Sequence, residues 1–404
     1  MHERPGSLEA LRRQNRLRVL EVLRRRASVS RAELERETGL SRTSVSSIVS
    51  TLLAEGVVVE RPGGRTEGRS RNGGRPPTLL ALDPAGGVLV GIDFGHDLVR
   101  VALADLAYAV LDEHTCSLDV DRSAREAIAA AVAMTRALLA EHAPEQGRAL
   151  AAGVAVSAPV QARTNVFASP AIFPSWSGLD LQTELGDPLG LPVFVGNDAN
   201  LGALSEAMLG AGRGVDNLIY VMLSTGVGAG LVLEGRVYAG ETGTAGELGH
   251  VVVEPNGLVC RCGNRGCLET VAGATALVDA LRHSHGTDIR LEDVLGLAAD
   301  GDVGARRVIA DAGRAVGGAL AGVCSLLDPR LVVVGGALAV AGNLLLDGIR
   351  ESIERAMTPS AGHGVDVVPG EFGARAPALG AIVLAATTAP IALPAPAAVT
   401  RLGA

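Results

Sequence analysis

Three thiols and an imidazole crowd one short stretch of this chain. His250 is followed by Cys260, Cys262 and Cys267 in the run G-H-V-V-V-E-P-N-G-L-V-C-R-C-G-N-R-G-C-L-E. Three thiolates and one imidazole make a closed donor set. That set suits a structural Zn²⁺ ion in tetrahedral geometry and leaves no open position for activating water. Gly263 and Gly266 let the backbone fold tightly around an ion. The alternative is free thiols beside a surface histidine. Cys116 and Cys324 lie in apolar stretches and are expected in the core.

A second constellation is polar. Gly196-Asn197-Asp198-Ala199-Asn200 follows an apolar strand and opens a helix. The C-terminal ends of strands are where α/β sheets bind ligands. Glu247, His250 and Glu269 flank the cysteine segment, and with Asn197 and Asp198 they offer the acceptors and donors that several adjacent sugar hydroxyls need. For Asp198 alone a helix cap is the competing reading. Ser224-Thr225-Gly226-Val227-Gly228-Ala229-Gly230 joins two strands. Its glycines would let backbone N–H groups approach a phosphate, although such a turn is equally a plain hairpin.

The third constellation is basic. Residues 1–77 carry 16 Arg against 9 Glu and no Asp, whereas the net charge of the whole chain is −8. A basic head on an acidic body suggests a head that meets a polyanion. Ser30-Arg31-Ala32-Glu33 is a capping box. Gly39 supplies a turn, and Ser41 caps a helix whose apolar stripe is Val45, Ile48, Val49, Leu52 and Leu53. Strands are expected at 57–60 and 78–82, joined by a segment of Gly, Pro and five Arg at 61–77. This is the layout of a winged helix-turn-helix. Arg42, Thr43, Ser44, Ser46 and Ser47 are placed to reach base edges in a major groove, and Arg71 and Arg75 to neutralise phosphates. The competing reading is a small helical oligomerisation domain with a solvated basic face.

These sites need elements to hold them. With 404 residues, 48% hydrophobic and 20% charged, the chain is large enough for two or three cored domains, which excludes wholesale disorder. From residue 88 strands and helices alternate, in two similar halves. Strands are expected at 88–94, 99–106, 110–118, 152–156, 193–195, 218–223, 229–233 and 331–334, and long helices at 123–142 and 302–327. The first twenty residues lack an apolar signal region, and prolines at 377, 390, 394 and 396 cut the longest uncharged stretch, so a cytoplasmic protein with no membrane span is expected.

Taken together, the motifs resemble the ROK family (repressors, uncharacterised reading frames and sugar kinases) of the actin-like ATPase superfamily. The resemblance covers nearly the whole chain. It rests on G-I-D-F-G at 91–95, N-D-A-N at 197–200, the S-T-G-V-G-A-G loop, G-E-L-G-H at 246–250, C-R-C-G-N-R-G-C-L-E at 260–269 and V-V-V-G-G-A at 332–337. It implies a winged helix-turn-helix at 1–77, then a two-lobed α/β sugar-kinase-like body at 78–386. Lobe 1 would span about 84–199 plus a C-terminal helix at about 377–386, and lobe 2 about 200–376; residues 387–404 would be a disordered tail. It carries the sugar contacts to Asn197, Asp198, Glu247, His250 and Glu269, with His250 serving zinc as well. In a kinase, Asp198 would be the base.

One departure stands out. Family kinases begin with a phosphate loop D-x-G-G-T, and this chain has Asp93-Phe94-Gly95-His96-Asp97. An extra anion works against ATP and Mg²⁺ at Asp93, Gly95, Thr225, Gly226 and Gly228, because phosphoryl transfer depends on neutralising charge. The implied protein is therefore a sugar- or phosphosugar-responsive regulator, a homodimer or homotetramer on an operator in duplex DNA, rather than an enzyme. The alternative is an ATP-dependent kinase of a hexose or amino sugar.

Overall fold

The computed structural model describes residues 8–26, 28–62, 78–158, 160, 174–357 and 364–389. The head contains α1 (Leu8–Arg25), β1 (Val29–Ser30), α2 (Arg31–Thr38), α3 (Arg42–Ala54), β2 (Val58–Pro62) and β3 (Thr78–Leu82). The capping box forms: the Ser30 hydroxyl accepts the Glu33 N–H at 3.3 Å and the Glu33 carboxylate accepts the Ser30 N–H at 2.8 Å. Gly39 ends α2 at φ 69°, a conformation glycine adopts without steric cost. Ser41 caps α3, and Val45, Val49 and Leu52 form its buried stripe, with Ile48 and Leu53 half-buried. The strands pair in the order β1-β3-β2. The head's sheet therefore runs past the boundary expected at 77, because β3 is its middle strand. The two-residue β1 had no periodicity to betray it.

The body contains two five-stranded sheets of one design. Lobe 1 holds β4 (Val88–Phe94), β5 (Leu98–Asp105), β6 (Val110–Ser117), α4 (Ala124–Gln146), β7 (Ala149–Val156), α5 (Leu181–Leu189) and β8 (Val193–Asn197), with strand order β6-β5-β4-β7-β8. Helix α6 (Asp198–Met208) follows. Lobe 2 holds β9 (Leu218–Leu223), β10 (Val227–Leu233), β11 (Arg236–Val237), α7 (Glu269–Ala272), α8 (Ala274–His285), α9 (Leu291–Ala299), α10 (Val303–Leu327), β12 (Leu331–Gly335), α11 (Asn343–Ala356) and β13 (Asp366–Pro369), with order β11-β10-β9-β12-β13. In each sheet the first three strands are antiparallel and the last two run parallel to the first. The two similar halves are thus one topology used twice. The lobe boundary expected at 199/200 falls inside α6.

Helix α12 (Ala376–Thr388) returns to the first sheet. Its approach requires missing side chains: a Cβ at Gly153 would lie 1.9 Å from the Ala381 carbonyl, and one at Gly380 would lie 1.9 Å from the Leu201 carbonyl. α12 also corrects the tail, since Thr387 and Thr388 are helical; residues 390–404 lie outside the described ones. Cys324 is buried as expected, but Cys116 is only half-buried, because β6 is an edge strand. Among the described residues α10 alone is long and apolar enough to cross a bilayer, and its Ile309–Val316–Leu320 stripe is buried in the lobe 2 core.

The head seats directly on lobe 1. Arg24 donates from Nε to the Leu106 carbonyl at 3.0 Å, and its guanidinium lies 4.2 Å from the Tyr108 ring centroid. Tyr108 adopts φ 69° in the β5–β6 turn, a strained conformation for an aromatic residue. Val19, Leu20 and Leu23 of α1 belong to one apolar cluster with Leu106 and Tyr108.

Candidate functional site

A cavity of about 670 Å³ lies between the lobes. Into it open the turn after β4, the start of α6, the turn after β9 and the segment from Gly246 to Glu269. The structure brings together every body residue singled out for ligand chemistry: Asn197, Asp198, Glu247, His250 and Glu269, with Asp93, Gly95, Thr225, Gly226 and Gly228 beside them.

Asn197 and Asp198 divide two tasks between them. Asn197 is the cap: its Oδ1 accepts the Asn200 N–H at 3.1 Å, and its Nδ2 donates to Asp198 Oδ1 at 3.0 Å. The cap alternative therefore belongs to Asn197, not Asp198. Asp198 Oδ1 also accepts the Ala199 N–H at 2.7 Å. Burial pushes the Asp198 carboxyl up, against the opposing Ser157 hydroxyl and His96 charge. Burial and then the Asp198 charge push Asp93 up to about 7. Burial, with Asp198 and Glu269, pushes Glu247 up to about 7. Carboxyls poised near neutrality, in a cleft, are a mark of functional sites.

The cysteine cluster assembles as a cage. One donor atom from each of His250, Cys260, Cys262 and Cys267 lies within 4.8 Å of the others. Cys262 Sγ and Cys267 Sγ are 3.7 Å apart, and Cys260 Sγ is 3.6 Å from His250 Nδ1. A tetrahedron with zinc–sulfur arms of about 2.3 Å has edges of about 3.8 Å, so the donor set fits zinc. Without an ion, burial and the neighbouring thiols push Cys267 up to about 12. The other face of His250 turns to the cavity, with Nε2 3.7 Å from Glu247 Oε2.

At the first turn His96 bends sideways. Its Nδ1 lies 2.8 Å from Asp121 Oδ1, and its Nε2 would lie 3.8 Å from a Cβ at Gly226. Asp97 also lines the cavity. At the second turn Glu269 Oε2 accepts the Val227 N–H at 3.3 Å, and a Cβ at Gly226 would stand 2.5 Å from it. Ser224 Oγ accepts the Ala337 N–H at 3.1 Å, tying this turn to the V-V-V-G-G-A segment.

Comparison with known proteins decides the family. The model described as "ROK family" matches residues 89–388, and that described as "MarR family" matches residues 12–69. The chain belongs to the ROK family. Its head is a MarR-type winged helix, and its body has the two-sheet ROK fold. The xylose repressor of Bacillus subtilis is 29% identical over 91% of this ROK chain and 93% of its own length. The glucokinase of Streptomyces coelicolor is 32% identical over 76% of this chain and 99% of its own length. A crystal structure of a ROK family transcriptional regulator, a homologue of the E. coli MLC protein, superposes with a TM-score of 0.75. It is 28% identical and covers 93% of this chain and 96% of its own. A ROK family glucokinase from Streptomyces griseus, in complex with glucose and AMPPNP, gives a TM-score of 0.65 at 29% identity, over 74% of this chain and 99% of its own.

In the head of this ROK protein, Arg42, Thr43 and Ser47 are exposed on α3, and Ser44 and Ser46 half-exposed. The Ser44 hydroxyl lies 3.0 Å from Ser41 Oγ within the cap. Arg71 and Arg75 lie outside the described residues. Sequence reasoning passed over Asp121 and Arg261. Arg261 NH1 is 3.4 Å from Asp121 Oδ2, and its Nε 3.7 Å from Glu269 Oε1. An arginine between two cysteines of the cluster was the one available signal.

Proposed function

We propose that this ROK protein is a sugar-responsive transcriptional repressor acting in the cytoplasm. A head running to residue 82 binds an operator in duplex DNA. A sugar in the interlobe cavity changes lobe closure, and with it the spacing of two heads in a homodimer or homotetramer. Heads on a two-fold axis would read half-sites about one helical turn apart, or a multiple of it. The sugar must bind one conformation better than the other for any response to follow.

The observation that carries this reading is the joint. A basic winged helix is seated through the half-buried Arg24–Tyr108 contact on the very lobe that contributes Asn197 and Asp198 to the cavity. Asn197, Asp198, Glu247, His250 and Glu269 would hold the sugar hydroxyls. Arg42, Thr43, Ser44, Ser46 and Ser47 would face base edges, with Arg71 and Arg75 on phosphates. His250, Cys260, Cys262 and Cys267 would hold a structural Zn²⁺, which fixes the loop carrying Glu247 and Glu269. The xylose repressor and the ROK family transcriptional regulator named above support this assignment, and xylose and glucose are the first sugars to try. Mobility-shift titration on DNA upstream of its own coding region tests it. Specific binding, weakened by one sugar, is expected; no specific complex at low salt with any sugar present or absent would discard the reading.

A second reading, an ATP-dependent sugar kinase, is favoured by one observation. Asp198 is a buried carboxylate with a raised pKa at the cavity wall, suited to accepting a hydroxyl proton. Coupled ADP release over hexoses and amino sugars, lost in Asp198→Asn, would establish it. Asp97 near the phosphate end argues against it.

A further inference from the structure

Two loops from opposite lobes meet at the cavity mouth. From lobe 1 comes Asp121, in the connection between β6 and α4, with His96 Nδ1 at 2.8 Å from its Oδ1. The Ser175 hydroxyl donates to the Asp121 carbonyl at 2.6 Å, and the Trp176 indole donates to the Val120 carbonyl at 2.9 Å. Asp121 thus stands on a braced loop. From lobe 2 comes Arg261, whose neighbours on both sides are cysteines of the cage. Its guanidinium spans the gap, with NH1 3.4 Å from Asp121 Oδ2 and Nε 3.7 Å from Glu269 Oε1. One cation is therefore shared by a lobe 1 carboxylate and a lobe 2 carboxylate. Both ends are anchored, which removes much of the side-chain entropy that weakens exposed pairs.

We propose that Arg261 and Asp121 form a clasp between the lobes, so that Arg261 is a positioning residue that couples cleft closure to the orientation of Glu269. The inference rests on the reading of the cavity as a sugar site. With the clasp made, the lobes stand close and Glu269 is held toward the Gly226 turn. With it broken, the first lobe loses its tie to the cysteine loop and the cleft opens more often. A closed cleft buries more of a sugar, so the clasp raises sugar affinity by holding the lobes together.

The test uses the full-length protein with its metal content measured. Asp121→Asn, Arg261→Gln and the double variant are each compared with the parent. The first readout needs no sugar: hydrogen exchange of residues 258–269. Asp121→Asn, a change in lobe 1, should speed exchange in this lobe 2 segment at unchanged metal content, and Arg261→Lys should restore most of the protection lost in Arg261→Gln. The second readout is sugar affinity by calorimetry. Each single variant should weaken binding about three- to fivefold, the size of a partly exposed pair, and the double variant no further than either single. Unchanged exchange in Asp121→Asn overturns the clasp whatever sugar does, and so do additive losses of affinity. If exchange responds but the parent binds none of the sugars, the clasp stands and the sugar reading falls.

Discussion

The two lobes share one strand order but not one chemistry at the turn that follows the first strand of each sheet. In lobe 1, β4 runs into Gly95-His96-Asp97, where an imidazole is held by Asp121 and a carboxylate lines the cavity. In lobe 2, β9 runs into Ser224-Thr225-Gly226, where small residues keep the backbone open and a Cβ at Gly226 would press on Glu269. Topology fixes where these turns lie, both at the cleft. Side chains decide what each turn admits. The lobes also differ in how their cleft loops are held. Lobe 2 has the cysteine cage; lobe 1 relies on the braced 119–122 loop and on α12 packed against its sheet.

The largest effect should come from removing the cage. Cys267→Ser is expected to lower zinc content from one ion per chain to near none and to drop Tm by about 5 °C or more, because metal binding free energy is folding free energy. Elemental analysis with a thermal melt checks this. A variant that keeps its metal and its Tm would erase the contrast between a stapled lobe and an unstapled one.

Next comes the first turn itself. The double substitution His96→Gly with Asp97→Thr rewrites it to the family's phosphate-loop pattern. Two unit charges 4 Å apart repel by about 4 kcal/mol at an effective dielectric of 20, which sets a ceiling on what removing Asp97 returns to a polyphosphate. Calorimetry with a non-hydrolysable ATP analogue and Mg²⁺ should show binding at least about tenfold tighter than in the parent, or binding where the parent has none. Equal affinities would mean that the two turns are chemically equivalent after all.

How much of this contrast could be read before the fold was known depends on range. Ser30–Glu33, Ser41–Ser44 and the strands at 88–94 and 218–223 are governed by contacts a few residues apart, and their residue types announce them. The cage was legible because His250, Cys260, Cys262 and Cys267 lie within one short segment. The clasp was not: Asp121 and Arg261 are 140 residues apart, and neither type is unusual on a surface. The same holds for Glu206, a fully buried carboxylate that accepts the Phe372 N–H at 3.0 Å across 166 residues, and for Arg24, whose partner Leu106 is 82 residues away. His96 was conspicuous as a departure from a motif, but where its ring would turn depended on a loop the motif does not contain.

A third effect separates the lobes by pH. Asp93, at the end of β4, is pushed up to about 7 by burial and by Asp198, and its counterpart position in lobe 2, Met222, carries no charge. The unfolded chain releases the Asp93 proton near pH 4 and the folded chain near 7, so between those values the native state binds more protons. Stability contributed by this group therefore falls as pH rises through that window, and the cost is fully present above it. Asp93→Asn removes the titration. On the order of 4 kcal/mol should separate variant from parent at pH 8, with little difference at pH 4, since each pKa unit is worth about 1.4 kcal/mol. Denaturant midpoints across pH 4–8 measure it. A parallel offset at every pH would place the ionised carboxylate in the native state throughout.

The smallest effect concerns the second turn. The Ser224 hydroxyl accepts the Ala337 N–H at 3.1 Å. Ser224→Gly gives up that hydrogen bond and frees the backbone of the unfolded chain, together about 1 kcal/mol and a few degrees of Tm. Nucleotide affinity should not move, because this turn already offers small residues and open N–H groups. Stability without affinity at Ser224, set against affinity at His96 and Asp97, would assign any deficit in phosphate binding to lobe 1 alone. If Ser224→Gly by itself improved ATP binding, the fault would be shared between the two turns.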